Sequence, residues 1–298
     1  MGRNKGKDKP QAYFHFLTQV IRCVRKHGKQ VMMWGDILLE HPELLESLPK
    51  DVIVLNWEYS AHPSEEKVIA ISQLGQPQIL CPGTSTWNYV VPKMAECVPN
   101  IVAMAQYAKR HGALGILNTN WGDFCNIGSL TFALYPMTIG AAVLWNPDTV
   151  IDEAFEKSVS LQLYDDSTGK SIALLKRMSS CERNGLWGAL CWWKVQKQPF
   201  SYTEQELSEQ VAVCGQLMLE WKELAKQNIH STLLKEALLA CRTIALFCAL
   251  LRKMLRTDTP LPEDPENWIR DFSDVWMTDN KTSELPQVVE FLRALIRR

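Results

Sequence analysis

Residues 51–59, DVIVLNWEY, form an unbroken apolar run that stops on an aromatic ring, a carboxylate and a phenol. Three other stretches share this grammar: QVMMWGD at 30–36, PQILCPGTSTWNY at 77–89 and ALGILNTNWGD at 113–123. Each is long enough for one short strand. None alternates apolar with polar residues, which predicts strands covered on both faces, the habit of parallel strands packed between helices. Helical periodicity fills the intervals. From Tyr13 to His27 the chain places Phe14, Leu17, Ile21 and Val24 on one face and stops at Gly28. PELLESL (42–48) is a second helical piece, Pro63 opens a helix ending at Gly75, Pro99 opens one ending at Gly112, and another runs from about Ser129 to Trp145. Crossovers of this length make right-handed β-α-β units.

Beyond Asn146-Pro147 only helical periodicity remains. Helices are expected over 149–164, 171–196, 203–228, 231–256, near 263–272 and over 283–297, with Pro260, Pro262 and Pro265 marking a loop. The most apolar segment, ALLACRTIALFCALL (237–251), is interrupted by Arg242 and too short for a membrane span, so it reads as a buried helix. No internal repeat is evident.

The 298 residues are 46% hydrophobic and 22% charged, which excludes a disordered or collagen-like chain. Lys+Arg is 32 against Asp+Glu 33, a net charge of -1 that suggests no nucleic-acid partner and no membrane surface. The nine cysteines are scattered, without C-x-x-C or zinc spacing. They read as buried reduced thiols and favour a reducing, cytoplasmic compartment. MGRNKGKDKPQ, at the N-terminus, is too polar for a signal-peptide core, although a signal peptide on a lost upstream half stays an open alternative. The six histidines lack ligand spacing, and no dinucleotide, P-loop, H-E-x-x-H or G-x-S-x-G motif occurs, so neither metal nor cofactor is expected.

Tryptophan is the compositional oddity, with eleven residues. Four of them end the four apolar runs, in Trp34-Gly35-Asp36, Asn56-Trp57-Glu58-Tyr59, Thr84-Ser85-Thr86-Trp87-Asn88 and Asn120-Trp121-Gly122-Asp123. In parallel α/β architectures ligands bind where the strands end. Rings beside carboxylates and amides suit a sugar, whose C–H faces pack on aromatics while its hydroxyls bond to the polar groups. The alternative is that each Trp simply fills space at a strand end. Asp36 is equally placed to cap a helix, whereas Asp123, in an exposed turn, reads as a ligand group.

The strings VMMWGD, LPKDVIVLNWEY, CPGTSTWN and LNTNWGD, in that order, resemble the second half of the catalytic barrel of glycoside hydrolase family 20. These are exo-acting β-N-acetylhexosaminidases, and the likeness is to the type with a helical C-terminal domain. CPGTSTWN is the most specific of the strings. The resemblance implies an α/β fold, the second half of a TIM (β/α)8 barrel with four parallel strands and their helices over 1–147, followed by an all-α domain over 148–298. It implies hydrolysis of terminal non-reducing β-linked N-acetylhexosamine by a retaining, substrate-assisted mechanism. The partner would be an N-acetylhexosamine-containing glycan. Trp34, Trp57, Trp87 and Trp121 would wall the terminal sugar, Tyr59 would hydrogen-bond its acetamido group, and Asp123 would accept from its hydroxyls.

The family's adjacent Asp-Glu pair lies at the end of the fourth barrel strand, shortly before a Leu-Gly-x-Gly-Arg-type loop. Here Met1-Gly2-Arg3-Asn4-Lys5 resembles that loop, and no strand precedes it. Glu65-Glu66, Asp152-Glu153 and Asp165-Asp166 read as solvated helix ends. The expectation is a fragment, inactive alone, whose open strand edges favour self-association. Alternatives are a partner chain that supplies the missing strands, and a sugar-binding half-barrel that acts as a dimer. The fourth motif departs from the family in having Asn120 where Asp is usual and Cys125-Asn126 where Gly-His is usual.

Overall fold

The computed structural model describes residues 9–182, 185–255 and 259–297. The expected Met1–Lys5 loop and the Arg256 end of the 231–256 helix lie outside the described residues. Two compact units are present, one of Met1–Gly83, Pro99–Thr119 and Ala142–Asp148, the other of Thr84–Val98, Asn120–Ala141 and Thr149–Arg298.

The first unit is α/β. Its strands β1 (Met32–Trp34), β2 (Ile53–Trp57) and β3 (Gln78–Cys81) form a parallel sheet in the order β1-β2-β3. Helices α1 (Lys9–Lys26), α2 (Asp36–Glu40), α3 (Pro42–Glu46) and α4 (Glu66–Gln73) belong to it, as does α5 (Met94–Arg110) from Pro99 onward. Leu17 and Ile21 of α1, Leu38, Leu44 and Leu45 pack with Val52, Val54 and Ile71 in one apolar cluster. β2 is covered as its apolar run predicts. β1 is not: Met32 is 53% and Trp34 37% exposed, so the face that these two residues share is left uncovered among the described residues.

The fourth apolar run is also corrected. Ile116 and Thr119 make isolated parallel bridges to Leu80 and Gly83 instead of a continuous strand. Leu114, Leu117 and Thr119 donate to the carbonyls of Gln78, Leu80 and Pro82. Pro82 has no N–H to return, so the ladder stays incomplete.

The second unit is helical. It contains a short non-helical turn labelled α6 (Asp123–Asn126), most of the helix α7 (Leu130–Trp145), and the helices α8 (Glu153–Tyr164), α9 (Lys170–Ser180), α10 (Leu186–Gln196), α11 (Glu204–Leu224), α12 (Ser231–Met254), α13 (Pro265–Asp279) and α14 (Leu285–Ile296). Thr203 and Glu206 form a capping box at the start of α11, and Asp264 caps α13. The single helix expected over 171–196 is two, α9 ending at Ser180 and α10 starting at Leu186, with the Glu182 carboxylate turned inward just after α9. Pro99 does not open α5. The helix starts at Met94, whose N–H is taken up by Ser179 Oγ at 2.9 Å. The core is aromatic: Trp187 stacks on Phe247 at 5.3 Å, Phe247 meets Trp268 edge-on at 5.9 Å, and Trp268 stacks on Phe272 at 5.3 Å. Such contacts add about 0.5–1.5 kcal/mol each beyond the area they bury. Among the described residues no helix is long and apolar enough to cross a membrane.

Candidate functional site

In the first unit the strand ends carry Trp34, Trp57 and Tyr59. Trp34 is in register with Leu55, and Leu55 lies two residues before Trp57, so Trp34 and Trp57 project from the same face of the sheet. The Trp57 ring stacks on Tyr59 at 5.1 Å with planes inclined by 24°. Glu58 folds back and accepts from the N–H groups of Tyr59 at 2.9 Å and Ser60 at 3.3 Å. Asp36, which could have capped a helix from outside, stands instead in the first turn of α2.

A residue that sequence reasoning missed holds these loops. Asn100 is fully buried, donates through Nδ2 to the carbonyls of Glu58 and Ser60 at 2.9 Å each, and accepts from the Gly83 N–H at 3.2 Å. One amide thereby ties the segment after β2 to the segment after β3. An Asn after Pro inside a helical pattern gives no sign of this, because the partners are 17 to 42 residues away.

In the second unit the TSTW and NWGD strings are joined. Thr84 Oγ1 donates to Asn120 Oδ1 at 2.6 Å, and the Thr86 hydroxyl lies 2.8 Å from the Trp121 carbonyl. Asn120, where the family pattern has Asp, therefore serves as an acceptor for threonine. Trp121 is 39% exposed, and Asp123 is exposed. Gly122 lies close under Asn126: a Cβ there would meet Asn126 Oδ1 at 2.6 Å and push that amide aside.

The turn that follows is unusual. Phe124, Cys125 and Asn126 have φ of 48°, 73° and 49°, three successive non-glycine residues in the left-handed region. Each costs on the order of 1–2 kcal/mol and persists only where tertiary contacts hold it. Two indoles provide the hold, Trp187 Nε1 donating to the Phe124 carbonyl at 2.7 Å and Trp276 Nε1 to the Cys125 carbonyl at 3.1 Å. Asn126 Nδ2 donates to Asn280 Oδ1 at 3.0 Å. Asp123 is thus presented by a turn fastened from α10 and α13.

The carboxylates divide by environment. Asp166 is buried and not solvated as expected. Burial pushes its pKa up, but hydrogen bonds from Thr168 and Ser171 outweigh that and hold it below the usual range. Glu65 is lowered chiefly by its hydrogen bond with His111, and Asp152 caps α8 through the Phe155 N–H. Glu263 pairs with Arg242 while Asp264 caps α13. Glu182 is the outlier. It is fully buried, its Oε2 accepts from Val90 N at 2.8 Å and Val91 N at 3.0 Å, its Oε1 has no partner among the described residues, and burial pushes its pKa up to about 8. Burial likewise pushes the Cys81 and Cys97 thiols up to about 12, which makes them inert. Among the described residues no cluster of His, Cys, Asp or Glu could hold a metal ion.

Neither a protein-family model nor a curated protein matches the chain. Solved structures do. A family GH115 4-O-methyl-α-glucuronidase with specificity for decorated arabinogalactans superposes with a TM-score of 0.59 over 92% of this chain, at 12% identity. The chain spans 40% of that enzyme's length. At this identity the likeness is one of fold, and the fold is one found in a glycoside hydrolase.

Proposed function

We propose that this chain is the sugar-binding part of a glycoside hydrolase of family 20 type, directed at glycans that end in β-linked N-acetylhexosamine. Residues 1–147 are then the partial barrel and 148–298 the helical C-terminal domain. Trp34, Trp57, Trp87 and Trp121 contact the terminal sugar, Tyr59 bonds its acetamido group and Asp123 accepts from its hydroxyls. The observation that carries this reading is the ordered run of four strings, each setting Trp and a polar group after an apolar run. The fold likeness to a glycoside hydrolase supports the chemical class and nothing finer.

In the substrate-assisted reaction the 2-acetamido oxygen attacks the anomeric carbon as the bond to the leaving oxygen breaks. A Glu protonates that oxygen while a neighbouring Asp orients the acetamide. Glu65, Asp152, Asp166, Glu263 and Asp264 are engaged in ion pairs, caps or turn hydrogen bonds, and in this reading the chain's own residues bind and orient the sugar. General acid catalysis is worth about 10²–10⁴-fold. The chain alone is therefore expected to leave a chromogenic β-N-acetylglucosaminide intact. Turnover that survives loss of the other carboxylate pairs but vanishes in Asp123→Ala would overturn this assignment of roles. N-acetylglucosamine should bind at millimolar strength or weaker, on the order of 4 kcal/mol or less, and Asp123→Ala should abolish it.

A second reading, a sugar-binding half-barrel completed by another copy or a partner chain, is favoured by the exposed edge at Met32 and Trp34. Light scattering tests it: a sharp monomeric peak with a cooperative melt would overturn it.

A further inference from the structure

We propose that the helical unit carries a second saccharide subsite, in a cavity of about 320 Å³ walled by Trp87, Tyr89, Trp192, Phe200 and Tyr202, with Asn88 as its polar anchor. The inference rests on the sugar-binding reading above and extends it to the neighbouring ring of the glycan. α10 and the segment just after it build most of the cavity.

Four observations point to this occupant. The lining is unusually aromatic, and broad rings offer the faces on which a pyranose stacks its C–H groups. Among the described residues the buried Asn88 Oδ1 has no hydrogen-bond partner, an acceptor that a sugar hydroxyl would satisfy. Among the described residues the lining contains no Asp, Glu, Lys or Arg, so the ligand it suits is neutral. The volume stands at the low end for small-molecule sites, which suits a single ring.

The floor is built for close approach. Gly185 has φ +67°, and a Cβ there would fall 2.9 Å from the Asn88 carbonyl oxygen. The Gly188 N–H donates to that same carbonyl at 3.3 Å, so α10 holds Asn88 in place backbone to backbone. Trp192 also meets Phe124 edge-on at 5.0 Å, and Phe124 follows Asp123. A wall of the cavity is therefore shared with the turn that presents Asp123.

The test is a saturation-transfer NMR titration of the full chain with N-acetylglucosamine, N,N′-diacetylchitobiose and, as a planar aromatic control, adenosine. The disaccharide should bind about tenfold more tightly than the monosaccharide. Phe200→Ala and Trp192→Ala should each reduce the disaccharide to the level of the monosaccharide without moving the latter. Trp192→Phe, which keeps a ring against Phe124, should restore at least half of the gain. A disaccharide that binds no more tightly than a monosaccharide that does bind overturns the subsite and leaves the sugar-binding reading standing. Adenosine binding that is lost in Phe200→Ala, with no gain for the disaccharide, overturns the saccharide as occupant. Binding of neither sugar overturns both readings.

Discussion

The loops after β2 and β3 and the turn at 123–126 both follow a Trp-bearing motif, yet they are held by different means. In the first region one neutral amide, Asn100, makes three hydrogen bonds to backbone that leaves regular strands. In the second, indole N–H groups from two helices grip carbonyls of residues that L-amino acids reach only at a cost; elsewhere in the same helical unit a buried carboxyl, Glu182, accepts from Val90 and Val91. A strand end already points the right way and needs only its last polar groups satisfied. A left-handed run needs donors delivered by the packed tertiary structure. The Asn100 hold is independent of pH, whereas the helical unit that carries the turn also contains an ionisable hold, Glu182 on Val90 and Val91.

Titration separates the two regions most strongly. Glu182 has a folded pKa raised by burial to about 8, so the neutral acid is the form that folding favours. Its contribution is full below the ordinary glutamate pKa and is lost as pH rises through about 8, a change on the order of several kcal/mol. Urea midpoints at pH 5 and pH 8.5 should fall steeply for the wild type and stay nearly level in Glu182→Gln, which keeps an acceptor for both N–H groups. A slope that survives the substitution would assign the pH dependence elsewhere.

Asn100→Ala should come next, at about 2 kcal/mol, because it strands the buried Gly83 N–H and removes the donor to the half-buried carbonyl contacts of Glu58 and Ser60. Its penalty should be the same at both pH values. The smallest effect belongs to Trp276→Phe, which deletes one N–H and keeps a ring: about 1 kcal/mol by urea unfolding. Hydrogen exchange should quicken over 124–127 while the amides of β1–β3 keep their protection. Equal loosening of both would mean that the indole contact is general packing and not a hold on the turn.

Much of the first unit was legible. The apolar runs at 30–36, 51–59 and 77–89 mark β1, β2 and β3, since a run of that length must be covered wherever it lands. The run at 113–123 looked equivalent and is not, because a strand also needs a partner able to donate, and that partner contains Pro82. The division into α9 and α10 is hidden in the helical period of 171–196. An inward Glu is invisible to periodicity when its partners, Val90 and Val91, lie about 90 residues earlier. Asp165-Asp166 misled for the same reason: a helix-end carboxylate reads as solvated until Thr168 and Ser171 are seen closing over it.

The tryptophans draw the boundary most sharply. Composition and spacing alone single out their number and the four that end apolar runs, because those are properties of the linear chain. Which rings serve as core and which face outward was decided by packing: Trp187, Trp221 and Trp268 are fully buried, whereas Trp34 and Trp121 stay substantially exposed. The same holds for the turn at Asp123. Its Trp-Gly-Asp lettering is local, but the left-handed path of Phe124, Cys125 and Asn126 exists only because Trp187 and Trp276, 63 and 151 residues further along, bring their N–H groups to its carbonyls. Local propensity acts over a few bonds, and it opposes that path; long-range hydrogen bonds supply the free energy that selects it.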